Sequence, residues 1–198
     1  LLKETPPTMI KLGIVQFFSW FALFMMWVYT TSGIAGNVWH TAATDSTSAA
    51  FNEAGNWVGV IFAAYSLFAA IYAMFMTKLA NKFGRKSVYM WSLMLGGIGL
   101  LSMVFIHDKY LLLISMLGIG IAWAAILAMP YAILSAVLPA DKMGVYMGIF
   151  NATITIPQIA AGILGGVILS LVGGQAIVML GVAGVSMLLA GFSVRFVK

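Results

Sequence analysis

The sequence predicts an all-α membrane protein of six transmembrane helices in one bundle. Three observations predict it. Of the 198 residues, 63% are hydrophobic and 8% are charged, where a soluble domain carries about 25% charged residues. The apolar residues fall in six runs long enough to cross a bilayer, which takes about 20 residues at ~1.5 Å rise each. The basic residues gather on one side of successive runs, a pattern that membrane insertion imposes on loops.

The first predicted helix covers residues 11–35, where Gln16, Trp20, Leu23, Trp27 and Thr31 recur near helical spacing and share a face. The second covers 56–79 and offers Tyr65 and Tyr72. The third, 87–106, carries Ser92, Gly96 and Gly99; the fourth, 110–138, carries Gly118, Ala122, Pro130, Tyr131 and Ser135. The fifth, 144–172, places Asn151, Thr155, Gln158 and Gly162 on one stripe, with Pro157 and Gly166 beside it; the sixth, 174–196, adds Gly181 and Gly184. Small residues at this spacing let helix backbones approach closely. Pro130 and Pro157 each remove a backbone donor near mid-membrane and predict a kink. Residues 1–8 read as a linker remnant without a secretory leader, and 9–198 as one domain. The connection 36–55 is long and polar; the others are short, which sets sequential helices antiparallel.

Orientation follows from Lys and Arg. Lys3, Lys11, Lys78, Lys82, Arg85, Lys86, Lys142, Arg195 and Lys198 fall on one side, and only Lys109, beside His107 and Asp108, on the other. This asymmetry predicts a multi-pass protein of the plasma membrane, or bacterial inner membrane, with both termini cytoplasmic. The net charge of +5 is thereby assigned to topology and membrane lipid, and no nucleic-acid partner is expected.

The chemistry of the interior is narrow. Glu4, Asp45, Glu53, Asp108, Asp141, His40 and His107 all lie in loops or at helix ends, and cysteine is absent. Metal sites, catalytic carboxylate pairs and Ser-His-Asp arrangements need such groups inside the bundle. No cofactor, no metal and no enzymatic activity are therefore expected. An amide in hydrocarbon costs free energy unless it is hydrogen-bonded, so Gln16, Asn151 and Gln158 either bridge helices or line a watery cavity. Amides beside indole and phenol rings suit sugars: amides pair with hydroxyls, and flat rings cover the apolar faces of pyranoses.

Between the second and third helices, Thr77-Lys78-Leu79-Ala80-Asn81-Lys82-Phe83-Gly84-Arg85-Lys86 resembles the signature loop of the major facilitator superfamily, roughly Gly-x-x-x-Asp-Arg/Lys-x-Gly-Arg-Arg/Lys. Thr77 stands for the glycine and Asn81 for the aspartate. Lys142-Met143-Gly144 followed by Gly148 is similar to another recurrent piece. Ala128-Met129-Pro130-Tyr131-Ala132-Ile133-Leu134-Ser135 and Asn151-Ala152-Thr153-Ile154-Thr155-Ile156-Pro157-Gln158 resemble segments of the sucrose transporter family, and Phe17-Phe18-Ser19-Trp20-Phe21-Ala22 resembles the start of that family's seventh helix. Thr30 and Ser32 stand where its plant members carry acidic residues.

The resemblance implies the C-terminal six-helix half of a twelve-helix transporter built from 3+3 inverted repeats. It implies proton-coupled symport of a disaccharide or related glycoside by alternating access. The first and fourth helices are expected to line the cavity, the second and fifth to flank it, and the third and sixth to face lipid. Gln16, Trp20, Trp27, Tyr65, Tyr131, Asn151 and Gln158 are the expected substrate-binding residues, and Asn81, Gly84, Arg85 and Lys86 the conformational loop. The proton-carrying carboxylate is assigned to a missing N-terminal half. The alternatives are a self-associating six-helix facilitator built with a second copy, and a structural membrane subunit that transports nothing.

Overall fold

A computed structural model describes residues 5–42 and 44–197, so Lys3, Glu4 and Lys198 lie outside the described residues. Six long helices follow one another: α1 Pro7–Val38, α2 Ala49–Phe83, α3 Arg85–Phe105, α4 Leu112–Leu134, α5 Met143–Leu171 and α6 Ala176–Ser193. Short 3-10 turns at Ala140–Lys142 and Val194–Phe196 precede α5 and follow α6. All six main helices are long and apolar enough to cross a membrane.

Several boundaries differ from the sequence expectation, each for a local reason. α1 starts at Pro7, inside the stretch read as a linker, because proline at the first helical position loses only a donor that has no intrahelical partner. α2 starts at Ala49 rather than 56: Ser48 caps it by accepting the Phe51 N–H at 3.2 Å. The expected loop 36–55 shrinks accordingly to residues 39–48. α4 stops at Leu134, four residues early: residues 135–138 form turns closed on the Leu134 carbonyl, and Pro139 beyond them is extended at ψ 135°. α6 starts at Ala176 because Gly173 and Gly174 take φ values of 68° and 74° in the preceding turn. α4 and α5 run through Pro130 and Pro157 as continuous helices.

The packing order is crossed. α1 lies along α6 and α5, α4 lies along α3 and α2, and α3 pairs with α6 across the middle. Exchanging the first three helices for the last three reproduces the same set of pairs, as two related repeats would. Glycine makes the α3–α4 contact: a Cβ on Gly118 would run into the Leu95 carbonyl, and one on Gly96 into the Ala122 Cβ. Between α3 and α6, a Cβ on either Gly97 or Gly184 would stand 3.0 Å from the other's carbonyl oxygen. The small-residue stripe expected on the fifth helix does not pack this way. Gly166 faces open space, and it is Gly165 whose added Cβ would meet the Tyr29 hydroxyl at 2.7 Å.

The core is supplied mainly by α1, α3, α4 and α6, with Leu12, Met26, Tyr89, Leu100, Met116 and Met187 fully buried. α3 and α6 also turn one face outward, through Trp91, Ile98 and Phe105 and through Val185, Leu189 and Phe192. α2 and α5 are the least buried helices of the bundle. At one end gather Lys11, Lys78, Lys82, Arg85, Lys86, Lys142 and Arg195; His40, His107 and Lys109 are at the other.

Candidate functional site

Trp20 and Trp27 are seven residues apart on α1, two turns of helix, so their indoles emerge on one face. Trp123 enters from α4 where the two helices cross. Its ring meets Trp20 and Trp27 edge to face, at 5.8 Å each, and Trp20 and Trp27 are 6.4 Å apart. Tyr65 of α2 closes the group with its ring 6.5 Å from Trp123, and its hydroxyl accepts the Trp27 Nε1 hydrogen at 3.3 Å. Edge-to-face pairs add about 0.5–1.5 kcal/mol each beyond their buried area. This four-ring cluster therefore holds the α1–α4 crossing firmly while leaving the Trp27 and Trp123 rings half-buried.

Two donors behind the rings are unspent. The Trp20 Nε1 and the Gln16 Nε2, one turn apart, are buried with no hydrogen-bond acceptor. The Gln16 oxygen is occupied: Tyr89 of α3 donates its hydroxyl to it at 3.2 Å. Gln16 is thus fully enclosed and bridges α1 to α3, the first of the two roles open to an amide here. Buried donors without partners are rare in folded proteins, and each calls for a reason.

A second tier lies nearer the basic end. The Tyr131 hydroxyl, on the last turn of α4, donates to the Asn151 Oδ1 of α5 at 2.8 Å, with Phe150 edge to face on the Tyr131 ring at 5.7 Å. Asn151 is exposed, so this pair faces open space rather than the core. Gln158, two turns farther along α5, is half-buried and stands apart from both groups. Of the sequence-predicted residues, Trp20, Trp27 and Tyr65 are thus brought into one cluster, and Tyr131 and Asn151 into another.

Trp123 was missed by sequence reasoning, although a signal was present. It lies in the middle of the fourth apolar run, too far from either end for the interfacial belt that accounts for most membrane tryptophans.

The α2–α3 loop, expected from its sequence to be a conformational loop, is tightly held. Gly84 takes φ 85° between α2 and α3, a backbone that residues with a Cβ rarely adopt, and its N–H closes α2 on the Ala80 carbonyl at 2.9 Å. Arg85 donates to the Ala132 carbonyl at 2.6 Å and Lys86 to the Val197 carbonyl at 2.5 Å. Both cations thereby sit at C-terminal helix ends, where backbone carbonyls are unsatisfied and the helix dipole is negative. Asn81 is exposed on the last turn of α2.

At the opposite end Lys109 pairs with Glu53 at 3.1 Å, and its ammonium lies 5.5 Å from the Trp57 and Tyr110 ring centres and 6.0 Å from that of Trp39. The Glu53 carboxylate, through this hydrogen bond, raises the Lys109 pKa above the ordinary lysine value. The described residues contain no cluster of His, Cys, Asp or Glu that could hold a metal.

Six membrane-length helices packed as two related triplets, with an aromatic centre and charge confined to the ends, define a multi-pass membrane protein of the transporter class. The family model of the Major Facilitator Superfamily matches residues 12–198, and the chain belongs to that superfamily. No individual curated protein matches it.

Proposed function

We propose that the chain is the C-terminal half of a secondary transporter that moves a disaccharide or related glycoside, coupled to protons, by alternating access. The observation that carries the reading is the ring cluster of Trp20, Trp27, Trp123 and Tyr65 at the α1–α4 crossing. Transporters built from paired repeats bind substrate near the bilayer midplane, at the repeat interface. Flat rings there suit the apolar face of a pyranose. The amides of Asn151 and Gln158 and the Tyr131 hydroxyl suit its hydroxyls, while the Trp20 Nε1 and the Gln16 Nε2, buried behind the rings, support the site with two unspent donors. Among the described residues no Asp, Glu, His, Lys or Arg stands at this depth, so the group that carries the proton belongs to the N-terminal half. That half docks on the open faces of α2 and α5. The basic end faces the cytoplasm, in the plasma membrane or bacterial inner membrane.

Two experiments test the reading. With the N-terminal half restored, disaccharide binding should quench tryptophan fluorescence. Gln158→Ala and Asn151→Ala should each weaken that binding about two- to twelvefold, the worth of one neutral hydrogen bond. No quenching by any disaccharide or glycoside would reject the substrate class, and unaltered binding in both variants would reject the site. Cysteines placed at Ser48 and Ser87 fix orientation: an impermeant thiol reagent outside the cell should label the first and not the second.

A further inference from the structure

A groove of about 530 Å³ runs between α2, α3 and α4 on the outside of the bundle, opening at the basic end. Its walls are Leu79, Phe83, Trp91, Leu95 and Ile121, with Ser87 at the mouth. Phe83, Trp91 and Leu95 are between 43% and 62% exposed, so none of the described residues covers it. From Ser87 to Leu95 the groove follows α3 for about 12 Å. The hydroxyls within it are spent, since those of Tyr72 and Ser92 are 2.9 Å apart and Ser92 donates to the Val88 carbonyl at 2.7 Å. The channel beyond the mouth is therefore apolar in character.

The mouth is cationic. The Lys82 ammonium stands 5.3 Å from the ring centre of Phe83, itself a wall of the groove. Lys78 is one turn away on α2, and α3 begins at Arg85 with the positive end of its dipole at the same place. The neighbouring cations are committed, Arg85 to the Ala132 carbonyl and Lys86 to that of Val197. Lys78 and Lys82 form no ion pair, and the pair of Lys109 with Glu53 is at the far end. Seven basic residues share this end with one described acid, Asp141.

An apolar channel at membrane depth, closed by cations at the leaflet surface, is complementary to one kind of molecule. We infer that the α2–α3 groove is a binding site for an anionic phospholipid, with one acyl chain along Leu79, Trp91 and Leu95 and the phosphate at Lys82 and Ser87. A helix of another subunit would fill the apolar walls but would leave the lysines without a counter-ion. The site is independent of the transported substrate.

Native mass spectrometry of the full chain, extracted with phosphatidylglycerol or with phosphatidylcholine, tests it. The chain should retain phosphatidylglycerol in preference. Lys82→Gln should lower that retention about fivefold, and Lys78→Gln with Lys82→Gln further, since one lysine near an anionic headgroup is worth that factor. Phosphatidylcholine retention should not change. Leu95→Trp, which fills the channel, should lower retention of both lipids. Lys11→Gln, at the same end but on α1, should leave both unchanged. Equal retention of the two lipids, or an equal loss in Lys11→Gln, would overturn the site in favour of diffuse leaflet attraction. Efficient disulfide formation between two chains carrying Leu95→Cys, in a protein with no native cysteine, would overturn it in favour of a protein interface.

Discussion

The Tyr131 hydroxyl and the Asn151 carboxamide meet at 2.8 Å and join α4 to α5, two helices whose main neighbours differ, α3 and α2 for the one and α1 for the other. The bond is exposed, so its net worth is modest, about 0.5–1.5 kcal/mol. It is placed where a small energy sets a gap between helices.

Tyr131→Phe and Asn151→Ala should therefore loosen the same gap. Spin labels on cysteines at Val137 and Val145 should show a broader distance distribution in each variant. The double variant should be no broader than either single one, as for two residues acting through one bond. Additive broadening would show that each residue acts separately.

Gln16 and Tyr89 form a unit of the opposite kind, wholly buried. Tyr89→Phe alone leaves the amide oxygen as well as its nitrogen unpaired, and should destabilise the bundle by about 1–3 kcal/mol. Adding Gln16→Met removes the stranded group and should recover most of the loss. Thermal unfolding in detergent reads both effects.

At the α3–α4 contact Gly118→Ala should lower the melting temperature sharply, because a methyl group there meets the Leu95 backbone, which cannot step aside. Gly166→Ala, with open space around it, should leave the melting temperature unchanged or raise it slightly. The contrast separates close packing from a general preference for alanine in helices.

The Lys109 pKa is raised in the folded chain, chiefly by its hydrogen bond to Glu53. A raised value means that the folded form holds the proton more tightly. The stabilisation is thus fully present below the unfolded lysine pKa of about 10.4 and is lost as pH rises through the higher folded value. Fluorescence of the cluster formed with Trp39 and Trp57 should be flat from about pH 6 to 10 and change above it. In Lys109→Met that alkaline step should shrink relative to the unaltered chain.

Hydropathy and charge made the helix count and the segregation of basic residues legible, because both are written along the chain. Helix ends were less so. A polar stretch such as 49–55 reads as loop until Ser48 is seen capping it, and α4 gives way to turns over residues 135–138 that themselves look helical. The face shared by Trp20 and Trp27 follows from spacing alone. Trp123 does not, because its place between them depends on where two helices distant in sequence cross. Enclosure of Gln16 by Tyr89 is likewise a property of the α1–α3 approach rather than of either helix.

The crossed packing order has a consequence for biosynthesis. α1 finds its principal neighbours in α5 and α6, and about 140 residues separate the end of α1 from the start of α6. At roughly 5–20 residues per second of synthesis, the first helix waits on the order of ten seconds in the bilayer before its partner exists. During that interval Gln16 has no Tyr89 until α3 arrives, and Trp20 has no Trp123 until α4 does. The chain thus completes its core only when its last helix is inserted, and loss of α6 alone should leave five helices that span the membrane without forming the bundle.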